Sequence, residues 1–150
     1  MKIEDAIKQQ KFENNLHKAL VNLIYTSNWI AANQSEFFKD YDILPQHYNI
    51  LRILKGKFPN SSCPGDIKEV MLDKNPDLTR LLDKLVKLGY VDRQLCEENK
   101  RKMDITITKK GLDFLNKIHP RMEEQYVTMG NNISLEEAEL LSNLLDKVRG

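Results

Sequence analysis

Between Asn75 and Tyr90 the chain reads NPDLTRLLDKLVKLGY, and directly after Gly89 the apolar spacing changes from every third or fourth residue to every second. That change admits few folds, because a helix buried along one side must pass without a linker into an extended ribbon. Leu78, Leu81, Leu82, Leu85 and Leu88 form the apolar stripe. Asn75 is expected to be the N-cap, its side-chain oxygen taking an orphan amide, with Pro76 at the first helical position. Gly89 is expected to close the helix in the left-handed conformation. The other face carries Asp77, Thr79, Arg80, Asp83, Lys84 and Lys87 and is mostly basic. Taken alone, this is an ordinary amphipathic helix with a solvated face. The ribbon makes it more specific.

From Tyr90 to Cys96, Val91 and Leu95 alternate with Asp92 and Gln94, and from Met103 to Thr108 the alternation returns. Between them lies a stretch without an apolar residue, Glu97-Glu98-Asn99-Lys100-Arg101-Lys102. Two short strands around a charged tip predict a β-hairpin, and so small a hairpin needs something to pack on. Val91, Leu95, Ile105 and Ile107 are expected to meet the leucine stripe. A basic helix followed at once by a basic ribbon is the winged helix-turn-helix order. The helix fits a major groove, where Thr79 and Arg80 reach base edges. A ribbon tip one groove away sets Arg101, flanked by Lys100 and Lys102, on phosphates or in a narrow minor groove.

Order and spacing from Ile43 to Gly111 resemble the MarR family of bacterial transcriptional regulators. The matching residues are Gln46, Ile50-Leu51-Arg52-Ile53-Leu54, Asp66-Ile67, Thr79-Arg80-Leu81-Leu82-Asp83-Lys84-Leu85, Gly89-Tyr90-Val91, Arg101, Ile107-Thr108 and Gly111. The resemblance implies a mainly α fold with a small β-hairpin wing, in one domain over residues 1–150. Residues 43–111 would form the winged helix-turn-helix lobe, and 1–42 with 112–150 the dimerisation helices. It also implies a homodimeric repressor on a palindromic operator, released by a small ligand or by oxidation. Three positions depart from the family pattern. Asn99 stands where an Asp often steadies the wing arginine, Lys68 where a small residue is usual, and Leu44 where Thr often precedes a helix.

Charge supports a nucleic-acid partner by its distribution rather than its total. The net charge is only +1, but residues 74–110 carry ten Lys or Arg against six Asp or Glu. The 41% apolar and 30% charged composition is that of a soluble globular protein. No apolar run approaches the roughly 20 residues needed to cross a bilayer. Met1-Lys2-Ile3-Glu4-Asp5 has no apolar signal core, so a cytoplasmic location without membrane contact is expected. Cys63 and Cys96 form no C-x-x-C, and His17, His47 and His119 are scattered, so no metal or other cofactor is expected. Cys63, before Pro64, would sit at a helix N-cap, where a thiol can become oxidisable; an incidental structural thiol is the favoured reading.

Elsewhere, residues 4–39 lack Pro and Gly, and Leu16, Leu20, Leu23, Ile24 and Ile30 recur at helical spacing. One or two helices are expected there, too long for the lobe to cover, with the stripe as a dimer contact. Ile43–Leu54 reads as a helix opened by Pro45 and ended before Gly56, and Phe58–Ser62 as a loop. Pro64–Leu72 reads as a short helix packing Ile67, Val70 and Met71 inward, and Asp73–Pro76 as the turn of the reading pair. Thr108 is expected to cap a helix kinked at Pro120 and ended near Gly130. Ser134 and Glu137 form a capping box opening a last helix. Tyr25 and Trp29 share a face and read first as packing residues. With His47 they are the candidate lining of a pocket for the small aromatic or lipophilic effector that the resemblance implies. The candidate DNA-binding residues are Asn75, Asp77, Thr79, Arg80, Lys84 and Lys87 on the helix and Asn99, Lys100, Arg101 and Lys102 on the wing. The alternative is a winged-helix protein-interaction module with weak or no DNA binding. No nucleophile–base pair, phosphate loop or metal spacing points to an enzyme.

Overall fold

The computed structural model describes residues 1–150. Its elements are α1 (Ile3–Ala6), α2 (Asn15–Lys39), α3 (Pro45–Lys57), α4 (Pro64–Val70), α5 (Leu78–Lys87), β1 (Val91–Leu95), β2 (Met103–Ile107), α6 (Lys109–Gly130) and α7 (Leu135–Arg149). One cluster of 17 buried residues joins α3, α4, α5, the hairpin and the first half of α6, reaching α2 only at Phe38. Leu81, Leu82 and Leu85 of α5 pack there with Ile50, Leu51 and Leu54 of α3, as the leucine stripe requires. The strands pair antiparallel from Val91 with Ile107 to Leu95 with Met103.

The ends of α5 are built differently from each other. At its C-terminus the left-handed Gly89 (φ +76°) gives the expected stop. The Tyr90 N–H reaches the Leu85 carbonyl at 3.0 Å and the Gly89 N–H the Val86 carbonyl at 2.9 Å, a Schellman closure. The N-terminus corrects the sequence reading: the cap is Asp77, whose carboxylate accepts the Arg80 N–H at 3.3 Å, and helix begins at Leu78 rather than Pro76. Asp77 caps as well as Asn does and adds negative charge at the positive end of the helix dipole. Asn75 is engaged elsewhere, its N–H bonded to the Asp73 carboxylate at 3.0 Å.

Other expectations are revised. Helix α3 runs through Gly56 to Lys57, where the missing side chain faces open space. Val70 is exposed, because α4 ends there, whereas Met71 is buried as expected. Leu95 is exposed because the hairpin projects past the lobe. Ser62, assigned to a loop, exchanges two 2.9 Å backbone bonds with Ile105 and gives the hairpin a one-residue third strand. Helix α6 continues on both sides of Pro120, and Thr108 caps it, its hydroxyl accepting the Gly111 N–H at 3.1 Å. Both halves of the Ser134–Glu137 capping box are present.

Two segments stay outside the core. Helix α2, 25 residues long, buries only Phe38, and α7 buries no residue at all. Leu16, Leu20, Leu23 and Ile30 of α2 face Leu141, Leu144, Leu145 and Val148 of α7 across an open apolar hollow of about 650 Å³. No helix is long and apolar enough to cross a membrane.

Candidate nucleic-acid interface

Thr79, Arg80 and Lys87 are exposed on α5, opposite the buried leucines. Arg80, Asp83, Lys84 and Lys87 fall at positions i, i+3, i+4 and i+7 and so share one face. That face borders the ribbon, because Asp83 accepts a 2.6 Å bond from the Arg93 guanidinium of β1. The period-2 rule puts Arg93 on the same side of the strand as buried Val91. Arg93 is nevertheless exposed, as is Leu95 on the same side, so strand alternation alone did not single out its acid. The reading helix and the ribbon are thus joined twice, by the Gly89 closure and by Asp83–Arg93.

At the ribbon tip Asn99, Lys100, Arg101 and Lys102 are all exposed. Asn99 organises the turn by local bonds: its side-chain oxygen accepts the Arg101 N–H at 3.1 Å and its carbonyl the Lys102 N–H at 2.8 Å. An Asx turn fixes the backbone and leaves the three cations free in solvent.

Two more of the helix residues have side-chain partners within the protein. Asp77 is occupied as the cap of α5. Lys84 Nζ lies 2.6 Å from the Asp42 carboxylate, and this bond, first, with the lysine's charge, second, holds Asp42 below the usual carboxylate range. Both border a hollow of about 540 Å³ beside α5 that also takes in His47 and Arg80.

The proposed pocket residues are not brought together. Tyr25 and Trp29 lie about half exposed on α2, whereas buried His47 borders the hollow beside α5, whose lining includes neither aromatic. Tyr25 and Trp29 belong to the half of α2 that the core does not reach. His47 is fixed by its own helix, Nδ1 accepting the Leu44 N–H at 2.8 Å. A separate crevice of about 760 Å³ between α2, α3 and the far end of α6 is lined by Phe38, Tyr48, Arg52, Leu72 and Tyr126. Burial raises the Tyr48 phenol above its ordinary pKa. Cys63 caps α4 as expected, its sulfur 3.5 Å from the Asp66 amide nitrogen, and both cysteines are unpaired.

No protein-family model matches the chain. It is 30% identical over 121 residues to the HTH-type transcriptional regulator PrsX of Escherichia coli, a match spanning 77% of this chain and 73% of that one. Among solved structures, a MarR transcription factor from Planctomyces limnophilus is 26% identical with a TM-score of 0.72, covering 91% of this chain and 98% of that one. A mutant of E. coli MarR solved with operator DNA has the same fold, at 24% identity and a TM-score of 0.75, covering 92% and 99%.

Proposed function

Because this chain belongs to the MarR family of transcriptional regulators, we propose that it reads a palindromic DNA operator as a twofold homodimer. It is a DNA-binding regulator, not an enzyme. The carrying observation is an exposed Arg80 on a helix face that is ion-paired to the base of a ribbon tipped by three solvated cations. In this reading α5 enters a major groove, with Thr79 and Arg80 on base edges and Asn75 and Lys87 near phosphates. Arg101 serves the adjacent minor groove, with Lys100 and Lys102 on the backbone. The dimer body is built from residues 1–42 and 112–150, through the apolar faces of α2 and α7. Half-sites then lie about one turn apart, roughly 10 bp centre to centre. Binding represses transcription by occupying the operator, in the cytoplasm.

The test is selection from a random DNA pool followed by Arg80→Ala on the recovered site. An inverted repeat is expected. The substitution should cost about 1–3 kcal/mol on that site and relax specificity at the base it reads. Equal loss on selected and random DNA would defeat base reading. No retention of wild-type protein on random duplex at low salt would transfer the reading to a protein-interaction module.

Effector release is the second part of the proposal. The crevice beside Tyr48 and Tyr126 suits it better than Tyr25, Trp29 and His47, because Arg52 offers a cation to an acid and Phe38 an aromatic wall. A thermal-shift panel of phenolic and fatty acids tests this. Stabilisation abolished by Arg52→Ala is the expected result, and no response to any member of the panel counts against it.

A further inference from the structure

The turn between α2 and α3 is gripped from two sides. On one side the Arg121 guanidinium of α6 donates to the Tyr41 hydroxyl at 2.7 Å and lies 5.6 Å from the ring centres of both Phe37 and Tyr41. On the other, Asp42 reaches across 42 residues of sequence to Lys84 of the reading helix, at 2.6 Å. Asp42 itself is in the left-handed region, φ +54°, a conformation Asp tolerates better than most residues. This turn is where the long helix that stays outside the core enters the lobe, and Lys84 lies one helical turn from Arg80.

We propose that Asp42 and Lys84 are a positioning pair for DNA recognition, setting the angle at which α5 presents Arg80, and that Lys84 is not itself a phosphate contact. The inference rests on the DNA-reading role of α5 proposed above. An ammonium already 2.6 Å from a carboxylate has its charge compensated locally. As a neutral pair the two residues release little counterion on binding DNA. His47 makes no salt bridge to Asp42, its Nδ1 being engaged as the acceptor of the Leu44 N–H. Lys39, Arg80, Asp73 and Asp77, the other charged side chains bordering this hollow, have no salt bridge to Asp42 or Lys84.

The test compares operator with random duplex for the full-length protein carrying Lys84→Met, Asp42→Asn, or the reversed pair Asp42→Lys with Lys84→Asp. Each single change should lower the ratio of the two affinities about three- to fivefold, the scale of one exposed pair. The salt slope of Lys84→Met should not become shallower, and the reversed pair should restore the ratio. A Lys84→Met protein that loses affinity equally on both DNAs, with a shallower salt slope, would show a phosphate contact and overturn the proposal. So would a reversed pair that folds with a wild-type thermal midpoint but recovers nothing. If the reversed pair does not fold, Asp42→Asn and Lys84→Gln are combined. A combined effect smaller than the sum of the two supports one shared contact, and simple additivity overturns it. A wild-type protein that does not discriminate operator from random DNA would instead defeat the reading role of α5, a result these variants do not influence.

Discussion

His47 occupies the third position of α3 and accepts the Leu44 N–H, the place a Glu or Gln takes in a capping box. Leu44 has no side-chain acceptor to return the bond, so half of the box depends on an unprotonated ring. Burial, and secondarily the Lys84 charge, push this imidazole below its ordinary value of 6.5, against a weaker pull from Asp42. The folded pKa is therefore the lower one, and the unfolded chain takes up the proton first as pH falls. The contribution to stability is complete above about 6.5 and drains as pH drops from there to the folded value. Urea melts from pH 7.5 to 5 should show this loss in the wild type. The loss should be smaller in His47→Gln, whose amide oxygen can accept the same N–H without titrating. Parallel curves for the two proteins would remove His47 as the cause. Gly111 is a different single-residue constraint. A Cβ there would lie 2.4 Å from the Tyr90 carbonyl oxygen and 2.7 Å from Ile107 Cγ1, where α6 crosses the base of the hairpin. Gly111→Ala should cost about 1–3 kcal/mol by overpacking. Gly130→Ala, with nothing within 4 Å of the new carbon, is the control and should cost nothing by that route in the same denaturant melts.

At the scale of elements, the wing should act on DNA chiefly through charge. Its tip makes no hydrogen bond outside the hairpin, and its cations project from an Asx turn. Lys102→Ala is expected to weaken operator and random DNA about equally and to lower the slope of log affinity against log salt by about one. An unchanged slope would place Lys102 off the phosphates. What the sequence showed and what it hid divide along the same local line. The Gly89 stop, the Thr108 and Ser134 caps and the leucine stripe were legible because each is a short-range bond or a strict period. The start of α5 was not, since Asn75 and Asp77 are both capping types two residues apart and propensity does not choose between them. Gly56 did not end α3, because a glycine facing open solvent costs only the modest helix penalty of about 1 kcal/mol. For the site, the exposed cations of α5 and the tip were readable from alternation and charge. The ties at Asp83–Arg93 and Asp42–Lys84 join segments 10 and 42 residues apart and exist only once the fold is made.

For the whole molecule, the largest unbalanced quantity is apolar surface. Leu16, Ile24, Leu141, Leu144 and Val148 are each about half exposed or more on α2 and α7, more than single surface residues account for. A second copy would cover them in an isologous contact. Leu144→Glu should leave the lobe folded, because Leu144 touches no part of its core. It should convert the protein to a monomer in sedimentation and weaken operator binding far more than binding to a single half-site. A dimer that survives this change would mean the twofold contact lies elsewhere.

The double attachment of α5 to β1 fixes the spacing between helix and ribbon. With Gly89 locking one corner and Asp83 holding Arg93 at another, the helix and the finger behave as the two jaws of a caliper set to one opening. Target sites should then vary at either jaw separately while keeping the number of base pairs between them. Inserting one base pair in that gap should cost more than changing the base under either jaw.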